Sequence, residues 1–312
     1  MPPRLVQDVL RIVFETAARA DRRSALNLAL VNKTSQGWID RILYETVRLR
    51  YQRTTNNLLR TLETSTKPPS FFAKQVKSLA ILYDIRPGDV ERIVAVCGGI
   101  QNITSWFLPT RPAPGAAPAP RPPGPLAHFM GPLRPKHLSS WHGILTLPDP
   151  HLALPFFSEV THLTVVNAWE EWCSWPWPHD ALEALTHLSL DFTFGARALA
   201  SSEIERMGGA LMHILSVCPA LKVCGLRIDQ RESAPSVVEV AEYFDKLREP
   251  RVLLYRNREP FQIREARSEN EMRFWATLTK NAKDLAAAEP GVGRRIVAIN
   301  PATQTTRLQI RW

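Results

Sequence analysis

A short apolar signature recurs along most of this chain, and it limits the fold more than any other feature. An apolar residue, two others, an apolar residue, one other, then a small or apolar residue occurs at 76–81, 100–105, 160–165, 185–190 and 221–226. Weaker copies stand at 137–141 and 251–255. Each run is too short for a helix and alternates as a half-buried strand does. With Leu79, Ile103, Leu138, Leu163, Leu188, Cys224 and Val252 as anchors, the steps are 24, 35, 25, 25, 36 and 28 residues. Helix-like segments at 87–97, 180–185, 201–217 and 236–248 lie between anchors. A short strand followed by a helix every 20–29 residues or so is leucine-rich-repeat geometry, in which no unit buries its apolar face alone and stacked units share a parallel sheet. The asparagine that closes such repeats is mostly missing, so the copies are degenerate. The rival reading is an ordinary α/β domain whose strands look alike.

The head of the chain has a different period. Leu5, Val9, Ile12, Val13 and Ala17 share one face of a helix predicted over 5–19, with Arg4, Asp8, Arg11 and Glu15 on the other. Asp21 is placed to cap a second helix through Ala25, Leu28, Ala29 and Val31. Trp38, Ile39, Ile42, Leu43 and Tyr44 continue the pattern in a third. A first strand is expected at 45–50, a helix at 53–64 and a break at Lys67-Pro68-Pro69-Ser70.

The fold class expected is therefore α/β: a small N-terminal helical module, then an irregular leucine-rich-repeat-like strand–helix array with a parallel sheet. The module is placed at 1–50, the array at 51–285 and a partly disordered tail at 286–312. Residues 109–125 hold eight prolines and no large apolar side chain, so they are expected to form an extended, mobile insert without a core of their own. Within the tail, residues 294–300 are expected to supply an edge strand.

Composition removes several classes. The 312 residues are 45% apolar and 22% charged, as in globular proteins, with no run of about 18 apolar residues and no secretory pattern. A cytoplasmic or nuclear location without membrane contact is expected. Cysteines at 97, 173, 218 and 224 fit neither a zinc site nor a disulfide framework, and reduced buried thiols are expected. The formal charge of +9 includes an excess of six basic residues in 1–60 and another six in 245–312. Those residues are dispersed and no nucleic-acid motif accompanies them, so a nucleic-acid partner is not expected.

Catalytic signatures are missing as well. No phosphate-binding loop, dinucleotide fingerprint, nucleophile elbow or metal-ligand spacing occurs in the sequence, so no catalytic residue, metal or cofactor is expected. His162 and His187 occupy the same repeat position, which points to a shared structural role. Trp169, Trp172, Trp175 and Trp177 fall within nine residues after a strand predicted at 160–166, and so on an expected strand-end loop. Tryptophan clusters supply binding hot spots and also cores, and this one is the candidate target-binding surface.

The head of the chain resembles the F-box-like modules of mushroom-type fungi. Asp8-Val9-Leu10-Arg11-Ile12-Val13-Phe14-Glu15 is similar to the family's opening helix, and Leu30-Val31-Asn32-Lys33, Trp38 and Leu43-Tyr44 to its close. The run from Phe71 to Leu79 and the later repeats also resemble the region downstream of the module in that family. The chain departs from the pattern at Val6-Gln7, where the family has Leu-Pro, and at Asn32, where it has a small Ser or Cys. An amide buried at position 32 without partners would cost about 1–3 kcal/mol. The resemblance implies docking to a Skp-type adaptor, and through it to a cullin, by Val6, Gln7, Val9, Leu10, Val13, Leu30, Val31 and Trp38. It implies a ubiquitin-ligase substrate receptor whose repeats recruit a target protein that the sequence does not identify. The alternative is a non-catalytic repeat scaffold without the ligase link, binding protein or nucleic acid.

Overall fold

The computed structural model describes residues 6–82, 85–106, 131–141, 144–145, 150–179, 182–192, 199–228, 234–247, 249–257, 268–287 and 297–299. The chain divides into two compact units, Met1–Gln101 and Asn102–Trp312.

The first unit opens with α1 (Gln7–Ala20), α2 (Arg22–Ala29) and α3 (Lys33–Glu45). Asp21 caps α2 as its position predicts: its carboxylate accepts from the Arg23 and Ser24 backbone N–H groups at 3.2 and 2.8 Å. Those donors hold the carboxyl below its ordinary pKa. Asn32 is exposed and caps α3, accepting from Ser35 N–H at 2.8 Å, while Ser35 Oγ accepts from Asn32 N–H at 3.1 Å. This reciprocal cap satisfies two otherwise unpaired donors and gives the Asn32 amide oxygen a partner. Ala18, Ala25 and Ile39 form a small core closed by Phe14, Leu28, Ile42 and Leu43.

β1 (Thr46–Leu49), α4 (Gln52–Thr64), α5 (Pro69–Gln75), β2 (Ser78–Leu82) and α6 (Pro87–Val96) complete this unit. The two strands pair in parallel with Val47 opposite Leu79. The predicted break at 67–70 is real but short, because a proline at a helix start needs no N–H partner and α5 begins at once. Lys67 Nζ donates to the buried Asp40 carboxylate at 2.5 Å and lies 4.7 Å above the Phe71 ring. Tyr44 meets Phe71 and Phe72 edge-on at 5.8 and 5.2 Å.

The second unit is a parallel sheet whose strands follow chain order: β3 (Asn102–Trp106), β4 (His137–Trp141), β5 (His162–Val165), β6 (His187–Phe192), β7 (Val223–Ile228), β8 (Val252–Asn257) and β9 (Val297–Ile299). The anchors Ile103, Leu138, Leu163, Leu188, Cys224 and Val252 lie opposite one another across successive strands. The same forked bond ties successive rungs. Lys136 O accepts from the Thr161 and His162 N–H groups, Thr161 O from Thr186 and His187, and Thr186 O from Lys222 and Val223. The edge strand expected near the C-terminus is present as β9, beside β8. The Pro-rich 109–125 insert lies outside the described residues.

Strand alternation gives the sheet two faces. One carries the buried anchor row together with Leu190, Leu226 and Leu254. The other carries His137, His162 and His187 in one row and Ser139, Thr164, Ser189 and Gly225 in the next. The helices are α7 (Trp169–Ser174), α8 (Ser201–Val217), α9 (Ala234–Leu247) and α10 (Ser268–Ala286). On the histidine face, Trp275, Leu278 and Ala282 of α10 pack with Val223, Leu253 and Tyr255. The anchor row points the other way, and α7, α8 and α9 are the described helices left to bury it; α7 contacts β6 and α8, and α8 contacts α9.

The structure corrects two expectations here. Residues 182–185 form a turn closed by Leu185 N–H on Leu182 O at 3.0 Å, not part of a helix, because a single turn already buries both leucines. Residues 169–174 form α7 rather than a strand-end loop. The helix at 268–286 has no counterpart among the elements expected from the sequence.

Candidate docking face

The first site is built by helical spacing. On α1, Phe14 and Ala18 turn inward, so the residues of the opposite stripe turn outward. Val6 is 66% exposed, Val9 44%, Ile12 64% and Val13 55%. On α2 and the turn after it, Leu26 is 51% exposed, Leu30 85% and Val31 58%. Among the described residues, these are seven of the ten exposed large apolar side chains, so the unburied apolar surface is concentrated on two adjoining helices. Single exposed apolar residues need no explanation, but this concentration makes the two helices the candidate docking face.

Of the predicted set, Val6, Val9, Val13, Leu30 and Val31 are exposed, on α1 with its N-cap and on the turn after α2. Gln7 is exposed at the start of α1, and Leu10 and Trp38 are half-buried. Trp38 meets Phe14 edge-on at 6.4 Å and so joins the face to the small core. Ile12 and Leu26 belong to the exposed set and were not predicted site residues; their signal was ordinary helical periodicity, which could not tell inward from outward. Arg11 pairs with Glu15 at 2.6 Å, and Arg19 with Glu45 at 3.1 Å.

The tryptophan cluster is interior. Trp169 and Trp172 are 0% exposed, and Trp175 and Trp177 are 4% exposed. The Trp172 indole donates to Asp191 O at 2.9 Å and the Trp177 indole to Trp172 O at 3.0 Å, while the Arg206 guanidinium covers the Trp169 ring at 4.7 Å. These residues hold α7 to the sheet and α8. In this state they present no surface to a target, which corrects the reading of them as a recognition patch.

The three histidines stack. Ring centroids of His137 and His162 are 4.4 Å apart, and those of His162 and His187 are 4.3 Å apart and nearly parallel. Stacked rings on adjacent strands do not converge on a point. Among the described residues, no group of three or more His, Cys, Asp or Glu is arranged to hold a metal ion. Burial lowers the pKa of all three, that of His162 to about 3. Burial raises the Cys97 and Cys218 thiols to about 11 and Cys173 to about 12. These cysteines stay protonated and poorly nucleophilic. Asp191 and Arg227, opposite each other on β6 and β7, form a buried ion pair. Among the described residues, no helix is long and apolar enough to cross a membrane. No family model matches the chain, and no curated protein matches it.

Proposed function

We propose that the chain is an F-box-like substrate receptor. Its exposed N-terminal face docks a Skp-type adaptor, and through it a cullin, while its strand–helix array recruits a target protein. The observation that carries this reading is the exposed apolar surface on α1, α2 and the turn after it, where five of the seven exposed side chains stand at positions the family resemblance marks as adaptor contacts. The leucine-rich-repeat-like character of the array belongs to the same proposal. Its support is the register of six anchors and the forked bonds repeated at successive rungs. On this reading the chain supplies proximity, its partners supply the chemistry, and it works in the cytoplasm or nucleus.

The test is calorimetry of the full chain with a purified Skp-type adaptor. Val13 is replaced by Asp, and Met212, which is 40% exposed on α8, is replaced by Asp as a matched control. Submicromolar binding is expected. A carboxylate forced into an apolar contact costs about 2–3 kcal/mol or more, so Val13→Asp weakens binding by roughly 30- to 150-fold while Met212→Asp leaves it unchanged. A folded chain that fails to bind the adaptor would sink the ligase link and leave the scaffold reading.

A further inference from the structure

The outward stripe of α2 carries cations as well as apolar side chains. Ala25, Leu28 and Ala29 turn inward, so Arg22, Leu26 and Leu30 share the outer face at four-residue spacing, with Arg23 beside them. Leu30 keeps helical backbone at φ −90° and ψ −7°, which carries the stripe into the turn. Val31 is exposed next to it, and Lys33 follows as the first residue of α3. Exposed cations therefore flank an apolar strip of Leu26, Leu30 and Val31 in the chain. From Arg22 to Leu30 the helix rises about 12 Å.

These charges are not neutralised within the helical head. Glu15 pairs with Arg11, Glu45 with Arg19 and Asp40 with Lys67, while Asp21 accepts the capping bonds of α2. Asp8 stands in the first turn of α1, where the helix dipole favours an acid. Arg22, Arg23 and Lys33 form no ion pair with a described residue. They also act against their own helices: each lies in a first turn, at the positive end of the dipole, and neither α2 nor α3 has an acid there. Unpaired cations at positions that their own helices disfavour, beside exposed apolar groups, suit an outside partner of opposite charge.

We propose that the α2 stripe receives an acidic, apolar protein segment. Its apolar side chains lie on Leu26, Leu30 and Val31, and its carboxylates on either side reach Arg22, Arg23 and Lys33. The cations act mainly on association rate and partner choice, because exposed rim charges steer encounter and penalise like charge. The apolar strip between them offers nothing to a phosphate backbone, which favours a protein over a nucleic acid. The inference names the partner chemistry of the docking face, so it rests on that face being a docking surface, though not on the adaptor as the occupant.

Two short helical peptides with a leucine face test it, one with glutamates on both flanks and a twin with glutamines there. The glutamate peptide is expected to bind the full chain at low salt at least about tenfold more tightly than its twin, a difference lost in roughly 0.5 M salt. Arg22→Gln/Arg23→Gln/Lys33→Gln should lose the preference. Arg53→Gln/Arg60→Gln/Lys74→Gln, which removes the same charge from exposed positions on α4 and α5, should keep it. Equal binding of the two peptides, binding of neither, or a preference that survives the first triple variant would overturn the proposal. So would a duplex oligonucleotide that outcompetes the glutamate peptide through the same three cations. Stopped-flow association with the Skp-type adaptor separates this inference from the proposed function. Association at least about tenfold slower in the first triple variant at low salt is the expected result. An adaptor that associates equally fast with that variant and the wild type overturns the inference and leaves the ligase link. An adaptor that does not bind, with the peptide preference intact, removes the ligase link and leaves the inference.

Discussion

At the scale of single residues, the start of α1 is where this chain departs most from the family it resembles. Gln7 is the first helical residue, and Val6 before it has φ −58° and ψ 134° with no side-chain cap bond. That extended backbone is the one a residue before proline must adopt, and a first-turn N–H has no helical partner to lose. Gln7→Pro is therefore expected to stabilise α1 by about 0.4–1 kcal/mol through the unfolded chain. Exchange of the α1 amides should slow by roughly two- to fivefold, and unchanged or faster exchange would show that the helix start is not free to take the ring. Asn32 teaches the complementary lesson. The family pattern has a small residue there, against which an asparagine amide looks costly; Ser35, three residues on, makes it a helix cap. Capping pairs are legible when both partners are read together; the exposure of Asn32 is not, because it depends on where α2 stops.

At the scale of elements, the strands were legible and the helix over the histidine face was not. Strand positions followed from a signature whose period survives insertion, and six anchors fell into register although their steps range from 25 to 36 residues. The α10 segment carries only a narrow stripe, Phe274-Trp275, Leu278 and Ala282, within a charged stretch, so its sequence resembles a surface helix. Its partner is a row of histidines, which no apolar pattern announces. That row has a pH consequence. Burial lowers the pKa of His137, His162 and His187 in the folded chain, whereas in the unfolded chain they titrate near their ordinary 6.5. His187 also faces Lys222, and His137 faces Lys136, which push the same way. The unfolded state binds these protons first, so the stabilisation is complete above pH 6.5 and is lost as pH falls towards the folded values, about 3 for His162. The urea midpoint should fall steadily between pH 6.5 and 5, a window that precedes most carboxylate titration. His162→Phe should reduce that slope by close to one proton, and an unaltered slope would place the titrating groups elsewhere.

At the scale of the whole molecule, the apolar side chains of the N-terminal helices and their turns divide between a buried core and an exposed face. Ile39 is 0% exposed inside the small core of the first unit, and Leu30, nine residues earlier, is 85% exposed. Truncating the first leaves a cavity and is expected to cost about 2–5 kcal/mol. Replacing the second with serine removes surface that the folded chain alone does not use, so its cost should stay within about 0.5 kcal/mol. The comparison separates two purposes for the helical head. If the head only completes the fold, every apolar residue in it should matter to stability and none to a partner. If its outer face is a docking surface, Leu30→Ser should leave the thermal transition in place and weaken adaptor binding, whereas Ile39→Ala should lower the transition and affect binding only through unfolding. Melting curves and adaptor titrations on the two full-length variants read both quantities. A Leu30→Ser chain that melts like wild type and binds the adaptor like wild type would mean that the exposed apolar face serves some other contact, because its exposure would then have no role in adaptor docking.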